Sequence, residues 1–224
     1  MTFRSLPTGG NPIPLLAVLS ALRRRSDPKD FLSQLLPNRC YFPVSSGSAG
    51  LRMALEAMKR ASSRKKIILP GYSCPSVFAA VINAGLQPVL CDLSPASFQL
   101  SLSDLQRKLC HQTLAVIAVH LYGLPDRIEA IMKMAASKNV LVLEDAAQAL
   151  GSSINDEGQL KTGEVGDLSV FSFGQGKPFS LLSGGAVIVN NADLGEPAAK
   201  VFHNLSNSSR PFTKIIAATK LAAY

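Results

Sequence analysis

The chain has 224 residues, 47% of them hydrophobic and 17% charged, with 16 glycines and 14 prolines. That balance excludes collagen-like, coiled-coil and wholly disordered chains, and the length suffices to bury a sizeable core. No apolar run reaches the roughly 20 residues needed to cross a bilayer, so no membrane span is expected. The formal charge of +8 is local: residues 1–66 hold 12 Lys and Arg against 3 Asp and Glu, whereas residues 67–224 hold 11 against 12. Its main clusters, Arg23-Arg24-Arg25 and Arg64-Lys65-Lys66, lack the interleaved aromatics of a nucleic-acid module and read as solvated faces. Cys40, Cys74, Cys91 and Cys110 are widely spaced and form no CxxC pair, which fits reduced thiols and a cytoplasmic protein.

In chain order, residues 1–14 read as an irregular arm, followed by helices over 14–25 and 28–36. Ser45 to Ser48 form a turn, with Ser46 or Ser48 as the cap of a helix over 49–60, where Leu51, Ala54, Leu55 and Met58 recur at helical spacing. Short apolar strands at 66–70, 88–92, 114–119 and 140–143 then alternate with helices at 75–84, 101–109 and 126–137. Such alternation implies α/β architecture with a largely parallel sheet. The last two strands, 168–173 and 186–189, are too close for a crossover helix and imply an antiparallel pair or a bend at a ligand. Residues 204–211 read as a polar turn, and 214–224 as mildly helical.

Ligands of such sheets gather beyond the carboxyl ends of the strands, and three segments there carry unusual chemistry. Ser45-Ser46-Gly47-Ser48-Ala49 opens a helix, so free N–H groups and hydroxyls can either cradle an anion or simply cap the helix. Glu144-Asp145 follows a buried strand, where an unpaired carboxylate is expensive. Asp145 suits a protonated ring nitrogen, and equally the acidic first turn of a helix. Lys177 lies in Phe171-Ser172-Phe173-Gly174-Gln175-Gly176-Lys177-Pro178, which fails the P-loop pattern because Pro178 follows the lysine. A lysine in that setting can instead form an imine with a carbonyl compound. His111, His120 and His203 form no zinc-type spacing, so no metal is expected.

Together these segments resemble the DegT/DnrJ/EryC1/StrS family of pyridoxal-phosphate-dependent aminotransferases. The likeness runs from about Val44 to Asn190. It is carried by Ser46-Gly47-Ser48-Ala49, Leu69-Pro70-Gly71-Tyr72-Ser73-Cys74, Val119-His120-Leu121-Tyr122-Gly123, Glu144-Asp145-Ala146-Ala147-Gln148, Gly166-Asp167-Leu168-Ser169-Val170-Phe171-Ser172-Phe173 and Lys177 ahead of Gly184-Gly185-Ala186. The resemblance implies the large domain of a fold type I pyridoxal-phosphate-dependent transferase, a mostly parallel mixed sheet flanked by helices. It implies pyridoxal 5'-phosphate as cofactor, Lys177 as the lysine that bonds the coenzyme aldehyde, and Asp145 as the partner of the pyridine nitrogen. Gln148 would contact the ring's 3-oxygen, while Gly47, Ser48, Ala49 and Ser172 would anchor the phosphate. The ring would be covered from the position of Cys74, commonly aromatic in the family, or by Tyr72. Ser183 and Gly174 replace the family's usual glutamate and histidine.

The same likeness implies an amino donor such as glutamate, a nucleotide-linked keto-sugar acceptor and a homodimer at full length. Residues 1–43 would form the N-terminal arm and helices, 44–203 the cofactor-binding domain, and 204–224 the start of a linker to an absent small domain. Two other readings of the scaffold are a truncated or regulatory cofactor-binding protein without turnover and a pyridoxamine-phosphate-dependent sugar dehydratase. Retention of Lys177 argues against the dehydratase.

Overall fold

The computed structural model describes residues 32–33, 38–155, 158–180 and 183–208. The N-terminal arm and helices expected before residue 38, apart from Leu32 and Ser33, lie outside the described residues, as does the mildly helical stretch expected over 214–224. In chain order the elements are β1 (Cys40–Val44), α1 (Gly47–Ala61), β2 (Lys66–Pro70), α2 (Pro75–Asn83), β3 (Gln87–Cys91), α3 (Leu102–Lys108) and β4 (Thr113–Val119). They continue with α4 (Ile128–Ala136), β5 (Leu141–Asp145), β6 (Leu168–Ser172), β7 (Gly185–Val189) and α5 (Gly195–Ser208). All seven strands join one sheet in the order β1-β7-β6-β5-β4-β2-β3.

Neighbours from β6 through β3 run parallel, whereas β7 is antiparallel to both β6 and β1. Only β7 is therefore reversed, which resolves the last two expected strands as an antiparallel pair. The sequence of β4, Thr113 to Val119, is buried at every position, as a strand covered on both faces must be. Residues alternate between two cores. Ile67, Leu69 and Ile117 meet α1, α2 and α5 on one side, while Ile68, Val116 and Ala118 meet α3 and α4 on the other.

Two elements depart from expectation. β1 was not anticipated because Pro43 interrupts it, but β1 lies at the sheet edge, where proline is tolerated. α5 runs on to Ser208, through residues expected to begin a polar turn at 204. The helix is stabilised by tertiary packing: Ala198 and Val201 are buried against the α1 side of the sheet, and Phe202 meets Phe42 with ring centroids 5.2 Å apart.

Candidate functional site

Ser46 has an extended backbone (φ −167°), and its hydroxyl accepts the Ala49 N–H at 3.1 Å, so Ser46 is the cap of α1. α1 starts at the carboxyl end of β1 and points its first turn at the ends of β5 and β6. A cavity of about 140 Å³ opens there, lined by Ser46, Gly47, Ser48, Cys74, His120, Asp145, Gln148, Ser172 and Lys177 among others. Gly47 is required by the close approach: a Cβ there would stand 2.8 Å from the Ser172 Cβ. The first-turn N–H groups and the hydroxyls of Ser48 and Ser172 thus face one small space, the arrangement that suits a phosphate.

The adjacent carboxylates of β5 have separate fates, because successive side chains of a strand point to opposite faces. Glu144 is fully buried and accepts from the N–H groups of Gly163 (2.8 Å), Val165 (2.8 Å) and Gly166 (2.5 Å), from the Ser169 hydroxyl (3.3 Å), and from His120 Nε2 (2.8 Å). Burial raises its pKa, but these donors outweigh burial and hold it below the usual carboxylate range. Asp145 faces the cavity. Among the described residues its carboxylate takes a hydrogen bond only from the Ala147 N–H, at 3.0 Å. Burial pushes its pKa up, with the Ala147 N–H and the Lys177 ammonium pulling against it. A cation placed in the cavity beside Asp145 would relieve that penalty.

Lys177 reaches the cavity from the turn between β6 and β7, where its N–H donates to the Gly174 carbonyl at 3.2 Å. Gln148 is oriented from behind. Its Oε1 accepts the Tyr122 N–H at 2.8 Å, and its NH2 has no acceptor among the described residues, so a donor remains for an oxygen in the cavity. Tyr122 holds that N–H in place from a left-handed backbone conformation (φ 56°).

Of the residues singled out in the sequence, Gly47, Ser48, Cys74, Asp145, Gln148, Ser172 and Lys177 share the cavity wall. Ala49 and Tyr72 do not line it. The Ala49 N–H is spent on the helix cap, and Tyr72 turns to Phe98 (6.0 Å between ring centroids) and to the Tyr122 hydroxyl (3.1 Å). Cys74, at the start of α2, is the side chain beside the cavity at the position where the family commonly has an aromatic. Sequence reasoning gives His120 no site role, since it figures there only as a rejected metal ligand and within the Val119–Gly123 motif. Its partner Glu144 lies 24 positions away on the neighbouring strand, a separation that local spacing does not reveal.

The model of the DegT/DnrJ/EryC1/StrS aminotransferase family matches residues 31–220. The chain belongs to this family. GDP-perosamine synthase of Escherichia coli O157:H7 is 34% identical over 151 residues, 67% of this chain and 40% of that protein. L-glutamine:2-deoxy-scyllo-inosose aminotransferase of Streptomyces fradiae is 32% identical over 152 residues, 68% of this chain and 35% of that protein. Among solved structures, DesI in the presence of its TDP-sugar product is similar with a TM-score of 0.74 and 26% identity, covering 85% of this chain and 50% of that one. Helicobacter pylori PseC, at 22% identity and a TM-score of 0.75, shares the fold over 85% of this chain and 54% of its own. The fold is thus that of the type I pyridoxal-phosphate-dependent transferases, a mostly parallel mixed sheet flanked by helices. The chain spans about 40% of the length of the E. coli relative.

Proposed function

We propose that this chain is the cofactor-binding part of a cytoplasmic, pyridoxal-phosphate-dependent aminotransferase that moves an amino group from glutamate to a nucleotide-linked keto-sugar. One observation carries the reading: a buried carboxylate, a lysine amine and a helix N-terminus face one another across a single cavity. The donor set fits the coenzyme. Asp145 would hold the pyridine nitrogen protonated, Gln148 would donate to the 3-oxygen, and Gly47, Ser48 and Ser172 would take the phosphate. When bound, pyridoxal phosphate supplies an electron-withdrawing ring that spreads the negative charge developing at the substrate carbon.

The protein's own contribution is then electrostatic and positional. Asp145 would pair with the protonated ring nitrogen in a water-poor setting, where charge interactions are strong. Lys177 would supply the amine that holds the coenzyme, and its Nζ would accept and return a proton at the substrate carbon. The GDP-perosamine synthase activity named for the E. coli relative and the TDP-sugar product seen with DesI support the nucleotide-linked sugar. Retention of Lys177 supports amine transfer over the dehydratase.

A homodimer belongs to the same reading. Phe78 and Ile82 on α2 and Leu90 on edge strand β3 are exposed, and Cys74 and Ser76 at the start of α2 line the cavity. The helix that carries Phe78 and Ile82 thus starts at the cavity. Titration of the purified chain with pyridoxal phosphate tests the function: a visible band of lysine-bound coenzyme is expected, absent in Lys177→Ala and bleached by glutamate. A chain that gives no band, or a Lys177→Ala variant that keeps it, would overturn the proposal. A band that glutamate leaves unchanged would favour the non-catalytic reading.

A further inference from the structure

We infer that the chain carries a second anion site, a cleft for an oligophosphate at the amino ends of β2, β3 and β4. The inference is independent of the functional reading above, because the cofactor cavity lies beyond the carboxyl ends of the parallel strands. β2 is five residues long, and at about 3.3 Å per residue the two ends of the sheet are roughly 15 Å apart. Arg64-Lys65-Lys66, which reads in the sequence as a solvated face, borders a cleft of about 430 Å³ together with His111. Ser63, Gln87 and Gln112 complete the lining. Every one of these side chains can donate a hydrogen bond, and none is acidic or apolar.

The backbone fixes the layout. β2 lies between β4 and β3, so Lys65 and Lys66 stand at the centre, with Gln87 to one side and His111 and Gln112 to the other. The Lys66 N–H donates to the Gln112 carbonyl at 3.1 Å, and the Gln87 N–H donates to the Lys65 carbonyl at 2.8 Å. Arg64 is clamped through one terminal nitrogen, which donates to the carbonyls of Thr113 (3.2 Å), Lys138 (3.2 Å) and Asn139 (2.8 Å). The ammonium groups of Lys65 and Lys66 and the His111 ring have no hydrogen-bond or ion-pair partner among the described residues. Elsewhere in the chain Lys59 is paired with Glu56, and Arg107 and Lys108 are paired with Asp104.

Cations gathered on one cleft without a counter-charge repel one another, and a polyanion relieves that repulsion. An oligophosphate suits the lining. Its oxygens accept from several donors at once in charge-assisted bonds, and its charge is spread over linked groups, as the cations are spread over adjacent strand ends. With no aromatic or aliphatic side chain in the lining, the cleft has nothing to stack against a base. The recognised part is therefore the phosphate chain, whether free as pyrophosphate or carried by a nucleoside diphosphate.

Calorimetric titration of the purified chain with pyrophosphate, in low-salt buffer free of phosphate, tests the site, and backbone-amide NMR locates it. Shifts should centre on Lys65, Lys66, Gln87, His111 and Gln112. Pyrophosphate also suits the first turn of α1, so the Gly47 and Ser48 amides report on that competing location. Lys65→Gln/Lys66→Gln, which removes two charges and keeps donors, should weaken pyrophosphate binding at least about tenfold while pyridoxal phosphate titrates as in the parent. Should the double variant not fold, Lys65→Gln alone carries the comparison. GDP separates the two sources: an affinity like that of pyrophosphate assigns the bare phosphate chain, and one at least about tenfold tighter assigns a nucleotide.

The absence of binding at millimolar pyrophosphate would overturn the inference, as would shifts confined to Gly47 and Ser48. Citrate binding as tightly as pyrophosphate, or affinity unchanged in the lysine variant, would overturn it as well. Single-stranded RNA that binds more tightly than pyrophosphate, with an affinity that grows with its length, would replace it with a nucleic-acid surface.

Discussion

A single methyl group added at Gly47 would collide with Ser172, since the required Cβ position lies 2.8 Å from the Ser172 Cβ. Gly47→Ala should therefore push the first turn of α1 away from β6 and weaken pyridoxal phosphate binding at least about tenfold. Pyridoxal without its phosphate should be much less affected, and parallel titrations of the two compounds check this. Asp145 yields an opposite pair of effects. Because burial raises its pKa above the unfolded value, the folded chain holds that proton more tightly. The stability this confers is full below the unfolded pKa and is lost as pH rises through the folded one. Wherever it is ionised, the side chain is a burden on the cofactor-free fold. Asp145→Asn, which keeps an acceptor for the Ala147 N–H, should raise the melting temperature by roughly 2–4 °C while weakening coenzyme binding. Calorimetry at pH 7 reads the first effect. The different roles of Glu144 and Asp145 were partly legible: a strand of period two must send neighbours to opposite faces, but no local pattern says which face holds the cavity.

At the level of elements, α1 joins the fold to the site. It lays Leu51, Ala54, Leu55 and Met58 on the sheet and presents its capped end to the cavity. Ser46→Ala removes the hydroxyl that accepts the Ala49 N–H and should cost about 1 kcal/mol of stability, measurable by urea unfolding. The buried strands were legible because β2, β4 and β5 sit between two helical layers and so become continuous apolar runs. β1 was not, since Cys40-Tyr41-Phe42-Pro43-Val44 is only half buried at the edge and contains a proline. α5 was not, because Asn204, Ser206 and Asn207 look like turn residues, and what holds the helix is a sheet surface contributed by distant strands. Residue spacing showed which three segments had the right chemistry; only the parallel order of β4, β5 and β6 brings Asp145, His120 and Lys177 to the same rim.

For the molecule as a whole, the distribution of uncovered apolar side chains bears on assembly. Phe78 (43% exposed) and Ile82 (49%) on α2 and Leu90 (51%) on β3 are exposed, and exposed apolar side chains of this size invite a partner. Under the dimer proposed above, Phe78→Glu/Ile82→Glu should give a monomer by light scattering where the parent chain gives a dimer. A parent chain that is already monomeric would refute the arrangement. The sheet order has another bearing, on how the chain is made. Among the described residues β1 has β7 as its single strand neighbour, pairing Val44 with Gly185 and Cys40 with Val189. At ribosomal speeds of about 5–20 residues per second, β1 waits on the order of ten seconds for β7 to be synthesised. The grip on the phosphate, which begins where β1 ends, is therefore completed only once β7 has been made, and nascent protein released before β7 would leave the translation machinery unable to hold its coenzyme.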